Sequence, residues 1–186
     1  MFVTTQDAST ACFEAAFLPR NFLHLTGART KLGSIEFYNM ALRGRLDERG
    51  FDFMADGTTE MKLNVLPQLM NIHVSARMAG DYDNSKSLLV TDKLAGTVTA
   101  VMGFTKTSDN GAFVPNTALN TDLRLISKKP IQRIAAIFQK MKQDEKYSTL
   151  TYIAKGLTID DGALAYVLRN KVDMQSLTAT FTIPRN

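Results

Sequence analysis

Hydrophobic and polar positions divide the chain into a helical first part, a strand-rich middle, a long helical stretch and a mixed tail. Residues 12–18 form a short apolar run ending at Pro19. That run suits a strand, or a loop, leading into one helical turn over residues 21–26 that Gly27 stops. Ser34 is placed to cap a second helix, with Ile35, Tyr38, Leu42 and Leu46 spaced as one buried stripe. A third helix is expected over residues 58–76, carrying Met61, Val65, Leu69 and Ile72 on one side. Pro67 lacks an N–H donor and should kink or divide it.

From Met78 the period changes to two, and residues 78–83 and 87–91 read as a hairpin with Asp83, Asn84 and Ser85 as its turn. Across residues 97–105, Val98, Ala100, Met102 and Phe104 alternate with Thr97, Thr99, Val101 and Gly103, the pattern of a strand with one apolar face. Asp109, Asn110 and Gly111 tolerate the positive φ that a tight return into residues 112–114 requires. Residues 121–126 are assigned to a further strand. Pro130 then opens a long helix that buries Ile131, Ile134, Phe138 and Met141 and exposes Gln132, Arg133, Gln139, Lys140 and Lys142. Residues 148–154 and 177–183 alternate as strands around a helix over 158–169, whose first turn carries Asp160 and Asp161. The expected fold class is α+β, with N-terminal helices packed on a mainly antiparallel sheet and a C-terminal helix-strand extension.

A length of 186 residues suits one core, and 45% hydrophobic with 22% charged residues is the balance of an ordinary globular protein. Cys12 is the only cysteine, so no intramolecular disulfide forms, and no Cys/His cluster has zinc-site spacing. No metal or cofactor is expected. The first residues lack the basic start and apolar run of a signal peptide, and no apolar stretch is long enough for a membrane span. The expectation is a cytoplasmic protein without a membrane partner.

Charge changes the picture in the second half. Basic residues number 10 against 11 acidic ones in residues 1–93, and 12 against 7 in residues 94–186. Lys128, Lys129, Arg133, Lys140, Lys142, Lys146 and Lys155 crowd together against only Asp144 and Glu145. Such a cluster attracts phosphate backbones through counterion release, or else forms an ordinary solvated helix face. Lys128, Lys129, Arg133, Lys140 and Lys142 are therefore the candidate nucleic-acid contacts.

The P-loop, the dinucleotide-binding fingerprint, H-E-x-x-H and G-x-S-x-G are all absent from the sequence. Histidine chemistry has only His24 and His73 to use. His73 sits beside Ile72 and Val74 and reads as a packing or surface residue. His24 lies in the short turn between Pro19 and Gly27, near Arg20, Thr26 and Arg29, where a titratable imidazole stands among phosphate-binding side chains. The alternative is a core histidine that holds a backbone carbonyl. Metal-independent RNA cleavage needs a base for the 2′-hydroxyl, an acid for the leaving oxygen, and cations and hydroxyls around the phosphorane. His24, Lys62, Arg77, Ser85 and Lys86 supply those types, with Thr105 and Thr117 on or near the sheet. As plain structural residues, Lys62 is an exposed helix position and Lys86 a turn position.

The segment F-L-P-R-N-F-L-H-L-T-G, residues 17–27, resembles a phage-associated family within the barnase, EndoU, colicin and RelE-like nuclease superfamily. The resemblance continues at Phe37-Tyr38, Lys62-Leu63, Gly80-Asp81-Tyr82-Asp83, Gly103-Phe104 and Val114-Pro115, and covers residues 12–127. It implies a small α+β domain that cleaves RNA, with His24 as catalytic histidine, Lys62 as phosphate-binding cation, and Arg77, Ser85 and Lys86 as secondary candidates. On this reading residues 1–127 form the nuclease-like domain, and residues 128–186 add a C-terminal helix and strands on the same core. RNA is then the expected partner. The competing reading is a non-catalytic phage or mobile-element protein. It would act as an anti-defence, anti-CRISPR-like inhibitor that engages a host or CRISPR effector, or its guide RNA, through the basic C-terminal segment. A third is a virion accessory protein without RNA affinity.

Overall fold

A computed structural model describes residues 1–7, 9–47, 50–85, 89–107, 111–160 and 162–180. The chain runs β1 (Phe2–Gln6), β2 (Ser9–Phe13), a 3₁₀ turn (Pro19–Asn21), α1 (Phe22–Thr26), α2 (Ser34–Leu42), α3 (Thr58–Met70) and α4 (Ile72–Ser75). It continues through β3 (Met78–Asp81), β4 (Lys93–Gly96), β5 (Val101–Lys106), β6 (Phe113–Leu119) and α5 (Leu123–Ile126). β7 (Gln132–Gln139), β8 (Thr149–Ile153), α6 (Gly162–Leu168) and β9 (Thr178–Ala179) complete the described part. The nine described strands form one sheet, seven of them in the order β2-β1-β7-β3-β4-β5-β6, antiparallel along that path, with β8 paired to β7 and β9 to β8. The expected α+β class and its mainly antiparallel sheet are what the chain adopts.

The centre of the sheet is where the long helix was expected. Residues 132–139 are strand β7, not helix. β1 pairs along one edge, while β3 at Gln132–Arg133 and β8 at Ala136–Gln139 share the other, so the sheet forks there. Both faces of β7 are covered. Ile134 and Ile137 join Phe2, Met102, Phe104, Leu66, Leu69 and Ile72 beneath the N-terminal helices. Ala136 and Phe138 pack with Val3, Leu150, Leu164, Leu168 and Val172 on the α6 side. A strand buried on both faces reads as an unbroken apolar run, and the run Ile134–Phe138 also fits helical spacing, which explains the misreading.

The same cause corrects β5. Val101, Met102, Gly103 and Phe104 are all buried, so the strand has two covered faces, while Val98 is 50% exposed in the turn before it. Thr97 organises that turn, its hydroxyl accepting from the Thr99 and Ala100 amides. The first hairpin pairs Met78–Asp81 with Lys93–Gly96, further along than residues 89–91, while residues 87–88 lie outside the described residues. Residues 123–126 make a helical turn capped by Asp122, not a strand. In α2 the buried residue is Phe37, while Ile35 and Leu42 are 58% and 71% exposed. That short helix is oriented by ring contacts of Phe37 and Tyr38 with Phe22, and of Phe37 with Phe51, at 5.6–6.2 Å between centroids. Pro67 stays inside α3, and the chain divides four residues later at Asn71, whose side-chain amide donates to the Pro67 carbonyl. Met61 is exposed, whereas Val65, Leu69 and Ile72 are buried as expected. β9 realises the start of the last expected strand and runs parallel to β8; residues 181–183 and the turn residues 109–110 lie outside the described residues.

Candidate functional site

α1 is short for local reasons. Pro19 starts the 3₁₀ turn, where a missing N–H costs nothing, and Gly27 closes the helix at φ 65°. The Thr26 hydroxyl donates to the Leu23 carbonyl and accepts from the Ala28 amide. Two carbonyls left over at this C-terminus are taken by α3. Lys62 Nζ donates to His24 O at 3.0 Å, and Thr59 Oγ1 donates to Gly27 O at 2.7 Å. Gly27 also makes room for this reach, because a Cβ built there would sit 2.9 Å from Lys62 Cδ.

His24 is an exposed residue beside buried Leu25 and Thr26. Loss of water on its protein side, and secondarily the Lys62 charge, hold its imidazole below the ordinary 6.5. Partial burial likewise lowers the Lys62 ammonium from its ordinary value. The result is a histidine biased toward its neutral, proton-accepting form, whose backbone carbonyl holds a cation with two further N–H donors that have no partner among the described residues.

The other sequence candidates sit elsewhere. Arg77, between α4 and β3, donates to the Val74 and Ala76 carbonyls at 2.8 and 2.9 Å and lies 4.1 Å above the Tyr152 ring. Ser85 is held in the turn after β3 by the Asp83 carboxylate, 2.7 Å from its hydroxyl. Lys86 falls outside the described residues. Thr105 donates to Asp92, and Thr117 is buried on β6. Among the described candidates, His24 and Lys62 are the pair in direct contact.

Because residues 132–139 are a strand, the basic cluster is divided. Eight strand residues at about 3.3 Å each span roughly 26 Å, more than twice their length as a helix. Lys128, Lys129 and Arg133 lie toward one end, with Lys128 N donating to Asp81 O and Arg133 Nη2 to Lys155 O. Lys140 and Lys142 lie at the other.

That second end opens into a cleft of about 820 Å³. Lys140 and Lys142 line it with Arg20, His73, Phe17 and Glu14. The sequence reading missed this gathering and assigned His73 only a packing or surface role. His73 is half-buried on α4, and burial lowers its pKa. Glu14 accepts a 3.0 Å hydrogen bond from Tyr147 Oη and pairs with Lys171. Burial alone would raise the Glu14 carboxyl, but those two partners hold it below its ordinary value. Among the described residues no three His, Cys, Asp or Glu side chains gather as a metal site, and no helix is long and apolar enough to cross a membrane.

Residues 1–156 match the family described as phage-Barnase-EndoU-ColicinE5/D-RelE like nuclease 4. The chain belongs to that family. The match extends beyond residues 12–127 at both ends and takes in β1, β7 and β8, which the central part of the sheet requires. α6 and β9 lie outside it. No curated protein and no solved structure significantly matches the chain.

Proposed function

We propose that this member of the nuclease family cleaves RNA without a metal, using His24 as general base and Lys62 as the cation on the scissile phosphate. The observation that supports the reading is the 3.0 Å bond from Lys62 Nζ to the His24 backbone carbonyl, with the Lys62 charge a secondary cause of the lowered imidazole pKa. His24 takes the proton of a 2′-hydroxyl, and the 2′-oxygen bonds to phosphorus as the bond to the 5′-oxygen breaks. The leaving oxygen takes a proton from water. The products are a 2′,3′-cyclic phosphate and a free 5′-hydroxyl. The two remaining Lys62 donors stabilise charge on the non-bridging oxygens as it develops.

The test is digestion of a mixed RNA pool in EDTA, with end-group analysis of the fragments. Cyclic-phosphate ends that disappear in the His24→Ala variant support the reading. Intact RNA, or equal cutting by the variant, overturns it.

A further inference from the structure

The cleft at the C-terminal end of β7 is separate from the His24–Lys62 pair, and its chemistry is that of a binding surface. Its cations are Arg20, Lys140 and Lys142. The side chains of Arg20 and Lys142 are exposed and make no hydrogen bond or ion pair with another described residue. Lys140 donates to Glu145 O at 2.9 Å and lies 5.0 Å from the Tyr147 ring, leaving further donors on its ammonium. The acidic group on the wall, Glu14, is already matched by Lys171 and Tyr147, so the cleft presents net positive charge. Asp144 lies nearby, where its carboxylate accepts from the Met141 amide.

Between these cations the wall is apolar, with Phe2, Ile72 and Ile137 deep in it. Phe17 borders the cleft, 47% exposed, with its ring plane nearly perpendicular to that of Phe104 at 6.2 Å between centroids. An accessible aromatic face bordered by cations fits a strand whose bases are unpaired, because every base has a face to stack and every link carries a phosphate. A duplex keeps its bases stacked inside and cannot offer one to Phe17. The space of about 820 Å³ lies within the usual range for small-ligand sites, large enough for nucleotide-sized groups. Arg20 also connects this cleft to the pair described above. It lies four residues before His24 on the continuous 3₁₀–α1 segment, a rise of roughly 6 Å.

We propose that this cleft holds unpaired nucleotides of a single-stranded nucleic acid, with Arg20, Lys140 and Lys142 on phosphates and Phe17 stacked on a base. The inference deepens the ribonuclease reading by naming the form of substrate, and it rests on that reading only for the identity of the strand as RNA.

The experiment uses a short fluorescein-labelled 2′-deoxy strand, which lacks the attacking hydroxyl and stays intact, and follows its binding to the full chain by anisotropy. Lys140→Gln with Lys142→Gln should weaken binding at least tenfold and flatten the salt dependence by about 0.7 per lost phosphate contact. Phe17→Ala should weaken it roughly tenfold, with Phe17→Tyr restoring it. Lys128→Gln with Lys129→Gln, at the far end of β7, should bind as the parent does, and a duplex of the same sequence more weakly. Unchanged binding in the cleft variants, with circular dichroism confirming their fold, overturns the proposal even if RNA is still cut. Loss of binding in those variants beside a parent that leaves RNA intact supports the cleft and overturns only the catalytic reading.

Discussion

Lys62, in the second turn of α3, donates a 3.0 Å hydrogen bond to the backbone carbonyl of His24, at the opposite end of a 38-residue separation. The lysine therefore acts on the histidine in two ways. It fixes the end of α1, and its charge disfavours the imidazolium.

Cleavage should depend on pH in a direction set by that contact. A general base works in its neutral form, so the rate should rise with pH through the His24 pKa and level off above it. Burial and then Lys62 lower that pKa, placing the acid limb below 6.5. Lys62→Met removes the second cause, so the limb should move upward while the plateau falls. Loss of the base itself, in His24→Ala, should cost about 10²–10⁴-fold in rate. An acid limb that persists unchanged in the residual activity of His24→Ala would exclude His24 as the titrating base.

Gly27→Ala should destabilise more than Gly57→Ala. Both glycines have positive φ, at 65° and 78°, where a Cβ costs about 1–2 kcal/mol. Nothing lies within 4 Å of a Cβ at Gly57, whereas one at Gly27 meets Lys62 at 2.9 Å. Urea denaturation should rank them in that order, and cleavage should fall only in Gly27→Ala. Equal losses would mean that Lys62 yields without consequence.

Gly80→Ala should disturb Ser127 before anything else. A Cβ there would collide with Ser127 Oγ, which donates to the Asp81 and Lys128 carbonyls. Such overpacking costs about 1–3 kcal/mol. In a Ser127→Ala background the same change should cost less, giving non-additive unfolding free energies in a double-mutant cycle. Strict additivity would show that the two sites do not compete for this space.

Glu14→Gln should cost about 1 kcal/mol at neutral pH, a modest figure because Glu14 and Lys171 are both partly solvated. The sign of its pH dependence follows from the lowered carboxyl. Its contribution is complete above the unfolded value, near 4.5, and is lost as pH falls through the lower folded value. The gap between parent and variant, read by denaturation at several pH values, should therefore close in acid. A gap independent of pH would assign the effect to packing instead.

Local chemistry determined much of this protein without help. Proline at the start and glycine at the end delimit the helical turn that carries His24, and hydrophobic spacing marks α3. Turn-forming residues separate the hairpins, and residues 17–27 with the motifs beyond them point to the family. These signals are readable because each depends on a few neighbours. Residues 134–138 have no such signal, since an apolar run of that length suits a helix or a strand equally. β1 on one edge, β3 and β8 on the other, and helices over both faces make it the central strand. That decision separates Lys128 and Lys129 from Lys140 and Lys142, and it places the latter pair beside Arg20, His73 and Phe17. The 3.0 Å contact of Lys62 with His24 has the same origin. Residues far apart in the chain meet only when hydrogen bonding and burial choose one register for the sheet, and a linear pattern carries no record of that choice.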